Sequence, residues 1–95
     1  MKAGRVIGNI WATRKEERLA GLKLLVVQPI DLLDSCPIEP PIVVADIIGA
    51  GVGETVLYVS GSSARGAAGG LDIPVDATIV GIVDGHEIDD MGGER

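Results

Sequence analysis

The chain has 95 residues, enough for one small domain with a modest core, and 46% of them are hydrophobic. Its net charge is −6, from 8 Lys and Arg against 14 Asp and Glu. This acidic balance argues against nucleic acid and against an anionic membrane surface, because both recruit basic protein surfaces.

The predicted elements are mainly strands, because the apolar residues are largely β-branched and glycine and proline interrupt them often. Strands are expected at residues 5–12, 22–28, 42–48, 55–59 and 77–83. A short helical turn is expected near residues 62–68, with Ser62 as its N-cap and Gly69 as its end. The pattern predicts one all-β domain over residues 1–95, a small barrel or sandwich.

The C-terminal end is expected to add little to this core. Asp84-Gly85 is a turn signal, so residues 86–88 are predicted to form a short sixth strand. Residues 89–95 are polar and are expected to be a frayed, flexible tail. Cys36 is the only cysteine and the first residues lack an apolar signal core, so we expect a cytoplasmic protein with a spectator thiol.

Both faces of the predicted strands are apolar. In the second strand, one face carries Leu22, Leu24 and Val26, and the other carries Leu25 and Val27. In the fifth strand, the two sets are Ala77, Ile79 and Val83 against Val80 and Ile82. Because a small barrel has only one interior, the outward apolar face predicts cover by neighbouring subunits.

The segment at residues 46–54 places glycine at every second position, at Gly49, Gly51 and Gly53. Such a loop either binds phosphate or packs closely against other backbone. A dinucleotide fingerprint needs a glycine where this chain has Glu54, and a P-loop needs a lysine there. A strand rather than a helix also follows, so the pattern favours a packing loop.

No catalytic or metal-binding constellation is complete in this sequence. Gly61-Ser62-Ser63-Ala64-Arg65 lacks the second glycine of a hydrolase elbow, and capping by Ser62 with a surface role for Arg65 is expected instead. The acidic end lacks metal-ligand spacing; it comprises His86, Glu87, Asp89 and Asp90. We therefore expect no enzyme activity, no cofactor and no metal.

Five segments in this order and spacing identify a family resemblance. They are Met1-Lys2-x-Gly4-Arg5-Val6-x-Gly8, Leu19-x-Gly21-x-Lys23-Leu24-Leu25, Ala45-Asp46-x-Ile48-Gly49-Ala50-Gly51-x-Gly53-Glu54-x-Val56, Gly61-Ser62-Ser63-Ala64-Arg65 and Pro74-Val75-Asp76-Ala77-x-Ile79-Val80-Gly81-Ile82-Val83-Asp84. Together they resemble the EutN/CcmL family, the vertex proteins of bacterial microcompartments such as carboxysomes and the ethanolamine-utilisation organelle.

The resemblance implies a five-stranded OB-like β-barrel and a homopentamer. It implies a structural, non-catalytic protein that closes the five-fold vertices of a cytoplasmic shell tiled by hexameric shell proteins. By the same resemblance, contacts near the five-fold axis are expected from Gly49, Ala50, Gly51, Gly53 and Glu54. A second interface or rim is expected at Ser62, Ser63 and Arg65. The alternative is a small ligand-binding or sensing barrel, for example a hexamer, without a shell role.

Overall fold

Five strands close into a barrel in the computed structural model, which describes residues 1–11, 17–19, 21–70 and 74–87. The elements are β1 (Lys2–Ile10), β2 (Lys23–Pro29), β3 (Ile42–Asp46), β4 (Thr55–Ser60), α1 (Gly61–Ala68) and β5 (Ala77–Ile82), with a 3₁₀ turn at Glu17–Leu19. The barrel order is β1-β2-β3-β5-β4. All neighbours are antiparallel except β3 and β5, which run parallel. The all-β, five-stranded barrel with a short helix is therefore confirmed.

The core is aliphatic apart from a single ring, that of Tyr58. Tyr58 is its largest buried side chain, surrounded by Val6, Leu25, Val27, Val44, Val56 and Ile79. Gly4 lets β1 approach this cluster, because a Cβ there would collide with Val27 and would lie 3.0 Å from the Gln28 carbonyl oxygen. The close approach thus explains a glycine in the middle of a strand.

A β-bulge in β5 changes which side chains face the core. Leu57 pairs with Gly81 and Tyr58 pairs with Ile79, so Val80 is the extra residue. Because one residue is skipped, Ile82 lies opposite the buried Val56 and packs against the core, as Ile79 does. The prediction that Ile79 and Ile82 face opposite sides was wrong, since simple alternation does not allow for a bulge.

Several element ends differ from the sequence prediction. β1 begins at Lys2 rather than at residue 5, because Lys2 and Ala3 pair with β4. β3 ends at Asp46, where the carboxylate accepts the amides of the following turn. The N-cap of α1 is Ser60, not Ser62, and its side chain makes no capping hydrogen bond.

At the C-terminal end, His86 and Glu87 do not form the predicted sixth strand. The rest of that prediction, Ile88, and the tail at residues 89–95 lie outside the described residues. Among the described residues, the helices lack the length and apolar character needed to cross a membrane.

Candidate assembly surface

The first half of the glycine loop, residues 46–54, is organised around a buried carboxylate. Asp46 is 6% exposed and accepts backbone amides from Ile48 (2.9 Å), Gly49 (3.1 Å) and Ala50 (2.9 Å). Lys23 lies directly opposite Asp46 in the β2–β3 register. Its Nζ is 3.7 Å from Asp46 Oδ2 and donates to the Ala50 carbonyl at 3.0 Å. The lysine therefore balances the buried charge and fixes the backbone beyond it.

The second half of the loop is a tight turn closed by another carboxylate. The Gly51 amide donates to Glu54 Oε1 at 2.6 Å, and the Glu54 amide donates to the Gly51 carbonyl at 3.1 Å. Gly53 has a φ of +94° at the position that a type II turn reserves for glycine. Its amide donates to the Val6 carbonyl at 2.8 Å, which ties the turn to β1.

These contacts decide between phosphate binding and packing as the role of the loop. A phosphate loop directs free backbone amides at the ligand. Here the amides of residues 48–51, 53 and 54 are already bonded to Asp46, Glu54 or the backbone. An added phosphate would also meet the carboxylate of Glu54. The geometry therefore supports a packing loop.

The outward surface of the glycine loop is apolar. Ile47 and Ile48 are both exposed, and Val52 at the tip is 60% exposed. Ala50, in contrast, is fully buried in the barrel's own core, where it anchors the loop. The side chains available to another chain are thus the apolar ones at positions that the sequence analysis did not single out.

A second apolar surface covers the outside of the barrel. The β1–β2–β3 register places Ile10 opposite Leu24 and places Val26 opposite Val43. Ile10 and Val43 are exposed, and Leu24 and Val26 are half-buried. We call these four residues the apolar wall. An apolar surface that runs across neighbouring strands is a candidate for contact with another protein.

The other predicted residues lie on α1. Ser62 and Ser63 are exposed and Arg65 is half-buried, whereas Ala64 is buried against the barrel. The Thr78 hydroxyl donates to the Ala64 carbonyl at 2.7 Å and holds the helix on β5. The glycine loop comes just before β4 and α1 comes just after it. The residues predicted for the five-fold axis and those predicted for the rim therefore lie at opposite ends of this six-residue strand, about 20 Å apart.

The sequence analysis missed Lys23 as a structural partner of the glycine loop. The signal was a charged residue in an otherwise apolar strand, but only the β2–β3 register shows that it faces Asp46. Among the described residues, no three His, Cys, Asp or Glu side chains come together as a metal site. Cys36 is exposed, and its hydrogen bond with Asp34 raises the pKa of the thiol, which keeps it in its unreactive neutral form.

The protein is a small closed β-barrel. The polar groups of its glycine loop bond to one another, and part of its outer surface, the apolar wall, is apolar. The family model described as "Ethanolamine utilisation protein EutN/carboxysome" matches residues 1–84, and the chain belongs to this family. The chain is similar to the carboxysome shell vertex protein CcmL of Synechocystis sp., with 43% identity covering 88% of this chain and 83% of that protein. It is 48% identical to the bacterial microcompartment shell vertex protein EutN of Escherichia coli, over 88% of this chain and 87% of that protein.

Solved structures agree with these relatives. The GrpN pentameric microcompartment shell protein from Rhodospirillum rubrum superposes with a TM-score of 0.82 at 43% identity, covering 93% of this chain and 100% of that chain. The structure of Gloeobacter violaceus CcmL superposes with a TM-score of 0.85 at 42% identity, covering 94% of this chain and 91% of that chain. The family resemblance seen in the sequence is confirmed.

Proposed function

We propose that this chain is a structural shell protein whose homopentamers cap the five-fold vertices of a bacterial microcompartment. It works by shape and contact and carries out no catalysis. Its partners are four further copies of itself and the hexameric shell proteins of the same compartment. We place it in the cytoplasm, within the shell, with no role in binding nucleic acid or membranes.

One observation carries this proposal. The match to a solved pentameric shell protein extends over 93% of this chain and all of the other chain, at 43% identity. At that identity and coverage, the likeness extends over the whole barrel, which supports the same kind of assembly. The closed glycine loop supports the proposal, because a loop whose polar groups satisfy one another can pack against protein without stranding buried donors.

The contact surfaces follow from exposure and polarity. The apolar wall lies on β1, β2 and β3, and the exposed apolar side chains of the glycine loop lie beyond the end of β3. A ring needs two different complementary surfaces on each subunit, and these are the two candidates. We assign axial contacts to the loop around Gly49, Gly51, Gly53 and Glu54, with Ala50 positioning it from inside. Ser62, Ser63 and Arg65 of α1 are assigned to a rim at the other end of β4.

Native mass spectrometry of the purified protein tests the assembly. We expect a dominant five-fold mass, whereas a monomer, dimer or hexamer would contradict the pentamer. Ile10→Asp places a charge in the apolar wall and is expected to reduce the five-fold species at least tenfold, at an energetic cost of about 1.4 kcal/mol or more. Leu33→Asp, at an exposed apolar site in the loop after β2, is the matched control and should leave the five-fold mass unchanged.

The shell role is tested separately in cells that make the compartment. Deletion of the gene is expected to give elongated or leaky compartments, because the five-fold corners stay open. If the unchanged gene restores closed shells in the deletion strain and the Ile10→Asp variant does not, the defect results from lost assembly. Normally closed shells in the deletion strain would refute the vertex role.

A further inference from the structure

A cavity of about 560 Å³ opens at one end of the barrel. It lies where β1, β3 and β5 begin and where β2 and β4 end, and we call it the barrel mouth. Its polar lining consists of Lys2, Glu39, Tyr58, Ser60 and Asp76. Its volume is in the range of small-molecule sites, which often occupy the mouths of β-barrels.

The mouth exists because the sheet is incomplete there. β5 pairs with β3 only through Ala45↔Thr78 and Asp46↔Ile79, so in the described residues Ile42 and Val43 lack a strand partner on that side. Ile42 and Val43 line the cavity together with Ala77 at the start of β5. The gap in the barrel therefore has apolar walls.

Tyr58 brings an unsatisfied polar group to this cavity. The residue is 2% exposed and its ring belongs to the core, yet its hydroxyl has no hydrogen-bond partner among the described residues. In the described part of the chain, every polar side-chain atom that is fully enclosed has a hydrogen-bond partner. Since the Tyr58 hydroxyl has none, it is not fully enclosed, and it opens to the mouth that Tyr58 lines. Burial, and then the nearby charge of Glu39, raise the pKa of Tyr58 and keep the phenol neutral. Because the ring is fixed in the core and the hydroxyl faces the mouth, this hydroxyl is held in place and available to hydrogen-bond a ligand there.

The charged groups at the rim favour a cation. Lys2 Nζ is 3.9 Å from Glu39 Oε1, a loose contact between side chains that are 57% and 51% exposed. The carboxylate of Asp76 has no partner among the described residues. One lysine against two carboxylates leaves the lining at a charge of −1, so Lys2 alone does not neutralise it.

We propose that the barrel mouth binds an alkyl ammonium or guanidinium group, supplied by a small free amine or by a basic side chain of an adjoining protein. The alkyl part packs on Ile42 and Ala77, and the cationic head lies between Asp76 and Glu39. The head donates a hydrogen bond to the Tyr58 hydroxyl, which in turn donates to Glu39. This binding site goes beyond the shell role. All its residues belong to one subunit, and one of them, Val43 at its edge, also belongs to the apolar wall.

Titration of the assembled, deuterated protein with agmatine, followed by amide NMR, tests this site. We expect saturable shifts of the Gly61 and Ala77 amides, and no comparable shifts with butyrate. Tyr58→Phe is expected to weaken binding about fivefold, the value of one hydrogen bond. Asp76→Asn is expected to weaken it about tenfold, since it removes a charge-assisted contact. Asp84→Asn, the same change at an exposed aspartate outside the mouth, is the matched control.

The source of the cation is resolved by a second titration, with the capped peptide acetyl-Gly-Arg-Gly-amide. Binding of agmatine alone assigns the site to a free amine, whereas binding of both assigns it to a basic side chain that agmatine imitates. Absence of saturable shifts with either probe overturns the proposal. Equal weakening of agmatine binding by Asp76→Asn and by Asp84→Asn also overturns it, because binding would then depend on the overall negative charge of the chain and not on the mouth. The vertex role is judged separately, by the five-fold mass and by shell closure.

Discussion

The glycine loop and the barrel mouth lie at opposite ends of β4, and they use similar polar groups in opposite ways. In the loop, two carboxylates accept four backbone amides, and Lys23 balances the buried charge. In the mouth, Glu39 has one loose contact, while Asp76 and the Tyr58 hydroxyl have no partner among the described residues. Polar groups that satisfy one another build a rigid shape for packing, whereas unsatisfied ones remain available for a ligand.

The largest expected effect comes from removing the carboxylate that organises the loop. Asp46→Ala strands three backbone amides and leaves Lys23 without its counter-charge, so we expect the free energy of unfolding to fall by about 3 kcal/mol. Asp76→Ala removes a carboxylate that has no partner among the described residues, and it should change the free energy of unfolding by less than about 0.5 kcal/mol. Urea unfolding at one fixed protein concentration measures both, because assembly adds to apparent stability. Equal losses in the two variants would contradict the contrast between the regions.

A smaller effect separates folding from assembly within the loop. Gly53→Val forces a β-branched residue to a φ of +94° and should cost about 2 kcal/mol of folding stability. A Cβ at Gly51 would make only an ordinary contact, 3.5 Å from Glu54 Oε1, so Gly51→Val should fold nearly normally. We expect Gly51→Val nonetheless to reduce the five-fold mass, because its side chain would enter the space that we propose neighbouring chains fill. An unchanged five-fold mass in Gly51→Val would refute close packing at that position.

The smallest effect concerns the mouth at high pH. Because the pKa of Tyr58 is raised in the folded state, the folded protein holds the phenol proton more tightly than the unfolded chain does. This contribution is fully present below the normal tyrosine pKa, about 10, and is lost as the pH rises through the folded value. Tyr58→Phe should therefore change neutral stability little and make the loss of stability above pH 10 less steep. Parallel alkaline unfolding curves for the two proteins would contradict this.

Much of the fold was predictable because its signals are local. Runs of Val, Ile and Leu between glycines and prolines located all five strands, and Gly69 at a φ of +136° ends the helix as predicted. The glycine segment was recognised as a loop that does not suit phosphate because Glu54 occupies a position where phosphate loops need glycine or lysine. Alternation also predicted two different faces for β2, and Leu25 and Val27 are buried whereas Leu24 and Val26 are only half-buried.

The sequence by itself thus determined the class of fold, the positions of its strands and the family. Only the tertiary structure decided that a bulge at Val80 turns Ile82 inward and that Lys23 meets Asp46. It alone also revealed that the Tyr58 hydroxyl opens to a gap between β3 and β5. Strand propensity and turn chemistry act over a few residues, and so they can be read along the chain. Register, bulges and barrel closure depend on contacts between distant segments, which no local pattern encodes.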